Sequence, residues 1–195
     1  MTTRTTEHVP EDFTRSEGLR ALLNRLHESG PGAWQSDPVA AEQVIKNSLI
    51  LPADKITLQR MRPLVAVVEA SIAKDGPRSA TNNYYASWQP LALSLYEFRS
   101  ENFAQAVFWG RSCFDYADQT PARIAMTHIV LAMAYARQNQ REQARAELLV
   151  GRELIARRLP EGPTKISDLG WSSDGVWHDW VIAHLLLVEA EKLVP

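Results

Sequence analysis

Five histidines, one cysteine and a scatter of carboxylates are the residues of this sequence whose types could do chemistry. His178-Asp179 is a pair of the kind that begins a metal-dependent phosphohydrolase site. Such a site needs further ligands at helical spacing, and none stand nearby. His178 and His184 are six residues apart, which puts them on opposite faces of a helix, so they do not share an ion. His8, His27 and His128 stand alone, and packing or capping is the simpler role for each. Cys113 is the sole thiol. It falls where a small residue must meet a neighbouring helix, and a buried, unreactive cysteine fits that place better than a nucleophile does. Glu101, Glu142, Glu147 and Glu153 suit solvated helix faces. A glycine-rich phosphate loop and a nucleophilic-serine elbow are both missing. No catalytic residue, metal ligand or cofactor is therefore assigned.

Composition narrows the classes further. The chain has 195 residues, enough for one domain or one compact repeat array. It is 45% hydrophobic and 23% charged, an ordinary globular balance. Its 21 basic and 23 acidic residues leave a formal net charge of −2, without the basic excess of a nucleic-acid binder. A single cysteine rules out an internal disulfide and suits a reducing compartment. Residues 1–8 are polar and threonine-rich, unlike a secretory signal. No apolar run approaches the roughly 20 residues of a membrane span. The expectation is a soluble, cytoplasmic protein with no membrane or nucleic-acid partner.

The elements that must position these residues are helical throughout. Residues 16–29 carry Leu19, Leu22, Leu23 and Leu26 at helical spacing and stop at Gly30-Pro31-Gly32. Asp37-Pro38 predicts the next start, with Asp37 as N-cap and Pro38 in the first helical position, where its missing donor costs nothing. Further helices are expected at 57–74, 82–99, 103–117, 121–138, 141–158 and 176–194, about eight in all. Pro63 and Pro90 fall inside two of them and predict a late start or a kink. Residues 159–175 read as a long loop, and no strand pattern is apparent. Residues 1–15 read as a flexible N-terminal segment and 16–195 as one domain.

Two segments superimpose at an offset of 38 residues, Leu91–Ala106 on Ile129–Ala144. In each, an apolar helix with small residues crosses a polar turn and enters a second helix. The pattern resembles the tetratricopeptide repeat, whose usual period is about 34. Leu131, Ala132, Tyr135, Ala144, Leu148 and Gly151 match it in the second copy, and Leu93, Ser94, Ala106 and Cys113 in the first. Glu97 departs from the expected aromatic, and Gly110 replaces a larger residue. The clearest repeats span 89–122 and 127–158. The resemblance implies an all-α, tetratricopeptide-like stack of helix hairpins, with helix 176–194 capping its end.

A narrower resemblance covers about 35–195. Glu42-Gln-Val-Ile-Lys46, Leu49-Ile-Leu-Pro52, the two repeats, Trp177-His-Asp-Trp180 and Glu189-Ala-Glu191 are similar in order to the C-terminal repeat region of multidomain bacterial Ser/Thr protein kinases. This implies a regulatory or scaffolding segment. It implies no kinase activity here, because the nucleotide loop and the His-Arg-Asp and Asp-Phe-Gly motifs are missing.

In such repeats the first helix of each hairpin lines a concave groove. The alignment places Trp88, Leu91, Leu95, Phe98 and Arg99 there from one repeat, and Met126, Ile129, Met133 and Arg137 from the next. An apolar groove fits an amphipathic helix or apolar peptide. It fits the chain's own last helix equally well. The six tryptophans read as core or as partner anchors, and the arginines from Arg137 to Arg158 as a solvated face or an acidic-peptide site. The functional expectation is a non-enzymatic protein-interaction module whose partner the sequence does not identify. Two alternatives are a purely structural segment of a kinase-type multidomain protein and an enzyme whose site has no recognisable motif.

Overall fold

The computed structural model describes residues 36–77, 83–159, 171–172 and 175–194. The chain divides into two compact units, Met1–Gly32 and Ala33–Pro195. The first, with the expected flexible segment and the helix expected at 16–29, lies outside the described residues, so only the second is considered below. Among the described residues the fold is all-α. It comprises α1 (Pro38–Ser48), α2 (Lys55–Asp75), α3 (Asn83–Arg99), α4 (Phe103–Ser112), α5 (Pro121–Arg137), α6 (Arg141–Arg158) and α7 (Trp177–Leu193), with a 3-10 turn at Cys113–Asp115 after α4.

Local chemistry sets the helix boundaries. Asp37 Oδ1 accepts the Val39 N–H at 3.0 Å, and Pro38 opens α1 as expected. The start expected at Thr57 moves to Lys55, because Asp54 Oδ1 caps α2 by accepting the Thr57 N–H at 2.7 Å. Neither interior proline delays a start: α2 runs through Pro63 and α3 through Pro90. Pro63 is solvent-facing, so the carbonyl it leaves without a partner lies on the wet side of α2. The helix expected at 103–117 is shorter, ending at Ser112 before the 3-10 turn. Within the expected loop, Trp171–Ser172 pairs antiparallel with Gly175–Val176, so a minimal β-ladder stands where no strand pattern was read.

The 38-residue repeat extends to individual hydrogen bonds. At the α3–α4 turn the Asn102 N–H donates to Glu97 O and the Glu101 N–H to Phe98 O. At the α5–α6 turn the Gln140 N–H donates to Tyr135 O and the Asn139 N–H to Ala136 O. Each pair is the closing motif of a helix whose next residue is left-handed. That residue is Glu101 (φ 62°) in one hairpin and Asn139 (φ 60°) in the other. The Gln138 side chain donates to Phe103 O at 3.0 Å, tying the second turn to the start of α4.

Small residues set how closely the helices approach. The Ser94 hydroxyl donates to Ala106 O at 2.7 Å inside the first hairpin. A Cβ placed on Gly110 would lie 2.7 Å from Leu131 Cδ2, and one on Gly151 would lie 2.6 Å from Ile129 Cδ1 and 3.3 Å from Ala125 O. Leu131 and Ile129 therefore fill the space that these two glycines leave. α5 packs against α6 on one side, α4 on another and α7 on a third. Nearly all of it is buried from Ala122 to Tyr135. α1 closes over α3 and α2.

Two stability predictions follow from this geometry. Alanine in a helix normally gains about 1 kcal/mol over glycine. At Gly151 the contact with Ile129 reverses the sign, and Gly151→Ala is expected to lose about 1–2 kcal/mol. Adding Ile129→Val, which removes the clashing Cδ1, should recover part of the loss. Urea midpoints of the two variants check this. Glu101→Gly should gain about 0.5–1 kcal/mol, because glycine carries no penalty in the left-handed region. Asn139→Gly should change little, since asparagine already tolerates that region. Equal gains at the two turns would show that backbone strain is not the cause.

Candidate functional site

The nine residues expected to line a groove come from the two central helices, and the structure covers the side chains of eight of them. Trp88, Leu91, Leu95 and Phe98 of α3 and Met126, Ile129 and Met133 of α5 are all buried within the chain. α1 packs along α3 and α7 along α5. Ile129 lies against Gly151 of α6, inside the hairpin. Arg99 is also internal. Its guanidinium makes a paired contact with the Glu189 carboxylate of α7 and donates to Leu49 O at 3.0 Å and Ile50 O at 2.9 Å after α1. Arg137 alone of the nine is exposed, its guanidinium lying over the Phe103 ring at 5.1 Å. This surface is covered by helices of the chain itself.

A different cluster gathers where α1, α3 and α7 meet. Glu42, Gln43, Lys46, Tyr84, Tyr85, Trp88, His178 and Asp179 line a cleft of about 180 Å³. Glu42 and Lys46 are one helical turn apart on α1, and both are buried. The Lys46 ammonium donates to Asp179 Oδ1 at 3.3 Å, lies 3.5 Å from Glu42 Oε1, and sits 4.0 Å above the centre of the Trp88 ring. Asp179 is only 2% exposed, and His178 Nε2 lies 3.5 Å from its Oδ1. Tyr84 and Tyr85 form the mouth, their rings 5.2 Å apart and crossed at 83°. Two buried carboxylates thus face one ammonium. Trp88 Nε1 is buried without a hydrogen-bond partner, and Glu42 Oε1 is held by the Lys46 ion pair alone.

Burial dominates the electrostatics here. It pushes the Glu42 carboxyl up to about 7, although the Lys46 charge pulls the other way. The Tyr84 hydroxyl is raised as well, first by burial and then by the negative field of Asp179, Asp118, Tyr85 and Glu42.

The remaining polar clusters brace the repeats. Glu147 of α6 holds Arg111 of α4 at 2.7 Å and His128 of α5 at 2.5 Å, and Arg111 also donates to the Tyr135 hydroxyl. Arg123, wholly buried, donates to Cys113 O and Asp118 O across the connection between α4 and α5. Glu147, read from sequence as solvated, is thus buried and paired. Burial pushes the Cys113 thiol up to about 11, so it stays protonated at neutral pH. Of the six tryptophans, Trp88 and Trp180 are buried core residues. The side chains of Trp34, Trp171 and Trp177 lie outside the described residues. The arginines of α6 form a largely solvated face, with Arg145 and Arg157 more than half exposed and Arg152 paired to Glu191 of α7 at 3.0 Å. No family model, curated protein or solved structure matches the chain.

Sequence reasoning missed the cleft because Lys46 and Asp179 are 133 positions apart. One signal was available. Glu42 and Lys46 share a face with Ile45 and Leu49 rather than a polar face of α1, so at least one of the charges must be buried.

A neutral Glu42 is favoured by the fold, so its contribution to stability is largest at low pH and falls as pH rises from about 4.5 through about 7. The full effect is on the order of 3 kcal/mol. Glu97, raised chiefly by partial burial, adds in the same direction. Glu42→Gln should flatten the profile. Urea unfolding at pH 5 and pH 7.5 compares the two proteins, and an equally steep decline in Glu42→Gln would show that another group carries it.

Proposed function

We propose that the chain is a non-enzymatic protein-interaction module of tetratricopeptide-like build, acting as a regulatory scaffold in bacterial signalling in the cytoplasm. In this reading the module takes an amphipathic helix of a protein partner along α5, in exchange for α7. The observation that carries it is α7 itself. This apolar helix packs on α5, whose Met126 and Met133 are fully buried within the chain, so α5 already accepts a helix in cis. The repeated hairpin turns and close helix contacts at Gly110, Gly151 and Ser94 support the tetratricopeptide-like assignment. The order of motifs similar to kinase-associated repeat regions supports the signalling context.

The way α7 is fastened defines the partner's chemistry. Its two internal ion pairs are Asp179 with Lys46 and Glu189 with Arg99, ten residues apart. That spacing is about 15 Å along a helix. Buried ion pairs specify register more than they add net stability, so a competing helix with carboxylates at the same spacing can match them. The partner is therefore an amphipathic helix carrying two acidic residues about three turns apart.

Weakening one fastener tests the reading. Glu189→Gln replaces the carboxylate facing Arg99 with a neutral amide, leaving the guanidinium only neutral acceptors, and should loosen α7, seen as faster amide exchange over 177–193 with the remaining helices protected. Affinity capture from the source cell's lysate should then retain a partner several-fold more strongly than wild type. If α7 loosens, the other helices stay folded and capture does not rise, exchange at α5 is not how this chain binds.

A further inference from the structure

The cleft between α1, α3 and α7 has a charge and shape that the helix-exchange reading does not use. Glu42 and Asp179 supply two negative charges and Lys46 one positive charge, so the lining is one negative charge in excess when both carboxylates are ionised. Asp179 has the shorter contact with Lys46, at 3.3 Å. Glu42 Oε1, in a side chain more than nine-tenths buried, has only the longer 3.5 Å ion-pair contact with Lys46 and no hydrogen bond of good geometry. A buried carboxylate that shares its one cation with a second carboxylate is poorly compensated and gains from a further donor. Around it stand aromatic faces: the Trp88 ring, which already holds the Lys46 ammonium 4.0 Å from its centre, and the crossed pair Tyr84 and Tyr85, both about two-fifths exposed at the mouth. Carboxylate and aromatic faces together select an organic cation over a hydrated metal ion or an anion. The space, about 180 Å³, is smaller than a drug-sized pocket and admits only one short group.

We propose that this cleft binds a single ammonium or guanidinium group, which pairs with the Glu42 carboxylate and lies against Tyr84 and Tyr85. The group can be the end of a lysine or arginine side chain or a free small amine. The proposal does not depend on any helix binding along α5. Since α7 supplies Asp179 and His178, an occupied cleft also favours α7 in its docked position.

The charges facing Glu42 are Lys46 on its own helix, Tyr84 and Tyr85 from α3, and His178 and Asp179 from α7. Cation binding favours the ionised Glu42, so binding should release a proton near neutral pH and tighten as pH rises through about 7.

The test is titration calorimetry of the full chain with ethylguanidinium and n-butylammonium. Saturable binding is expected, about tenfold tighter at pH 8 than at pH 6, with proton release revealed by comparing two buffers. Glu42→Gln should weaken it about tenfold or more, and the surface substitution Tyr85→Ala roughly threefold, with both variants retaining the wild-type circular dichroism. Blocked Gly-Arg-Gly and spermidine then separate the sources: tighter binding of the peptide assigns a protein side chain, and tighter binding of spermidine assigns a free amine. The proposal is overturned if no probe binds saturably up to about 50 mM. It is equally overturned if propionate binds as well as the cations, or if folded Glu42→Gln and Tyr85→Ala both bind like wild type.

Discussion

The burial of α3 and α5 on nearly every side is the constraint on which the rest of the structure depends. A helix with apolar and small residues around its whole circumference is unstable in water until each face is covered. From Ser87 to Tyr96 and from Ala122 to Tyr135 these two helices offer almost nothing to solvent. The outer helices are therefore covers. α4 and α6 close one side of the hairpins, α1 closes over α3, and α7 closes over α5. Where a cover must come close, the residue is small: Gly110 under Leu131 and Gly151 under Ile129. The same requirement accounts for α7, which packs on α5 outside the two hairpins.

Covering a central helix with a segment from the other end of the chain raises the problem of register, which apolar contacts specify poorly. Two buried ion pairs answer it. Arg99 reaches Glu189 while also satisfying the carbonyls of Leu49 and Ile50, so one guanidinium ties α3, the end of α1 and the last turns of α7 together. Lys46 reaches Asp179 near the start of α7. Charges taken out of water repay their desolvation only in good geometry, and a slip of α7 by one residue would lose both pairs at once. The penalty for misplacement, more than the net strength of the pairs, fixes how α7 lies.

Much of the fold was legible in the sequence, and what was legible was local. The hairpins were visible because the repeat is written in turn residues and small residues within 16 consecutive positions, and Asp37-Pro38 marked the start of α1 because a cap acts over three residues. The start of α2 was misplaced since Asp54, its cap, sits outside the apolar pattern that defined the helix. Pro63 misled because its cost depends on which side of the helix faces water, and periodicity does not encode that. The covered state of Trp88, Leu91, Leu95 and Met133 was open at the sequence level, where the chain's own last helix and a partner helix were equally good occupants. The contact of Ile129 with Gly151 was not legible, because the alignment assigns faces by repeat position and does not show which residue of the facing helix leaves room.

The charged cleft was the least legible feature, for a reason that bears on its chemistry. Glu42 and Lys46 one turn later share the apolar face of α1 but do not show what third group they meet, and His178-Asp179 reads as a fragment of a site without its other ligands. Each half is unremarkable alone. Brought together by α7, they leave one ammonium between two carboxylates, and burial turns a pair of modest surface interactions into a strongly perturbed one. If Glu42 served only to anchor Lys46, one carboxylate would suffice, since Asp179 already accepts from the ammonium at the shorter distance. A glutamine at position 42 would keep the shape of the side chain without the desolvation cost. The surplus carboxylate works against stability at neutral pH, so its account has to be sought in what the cleft can hold.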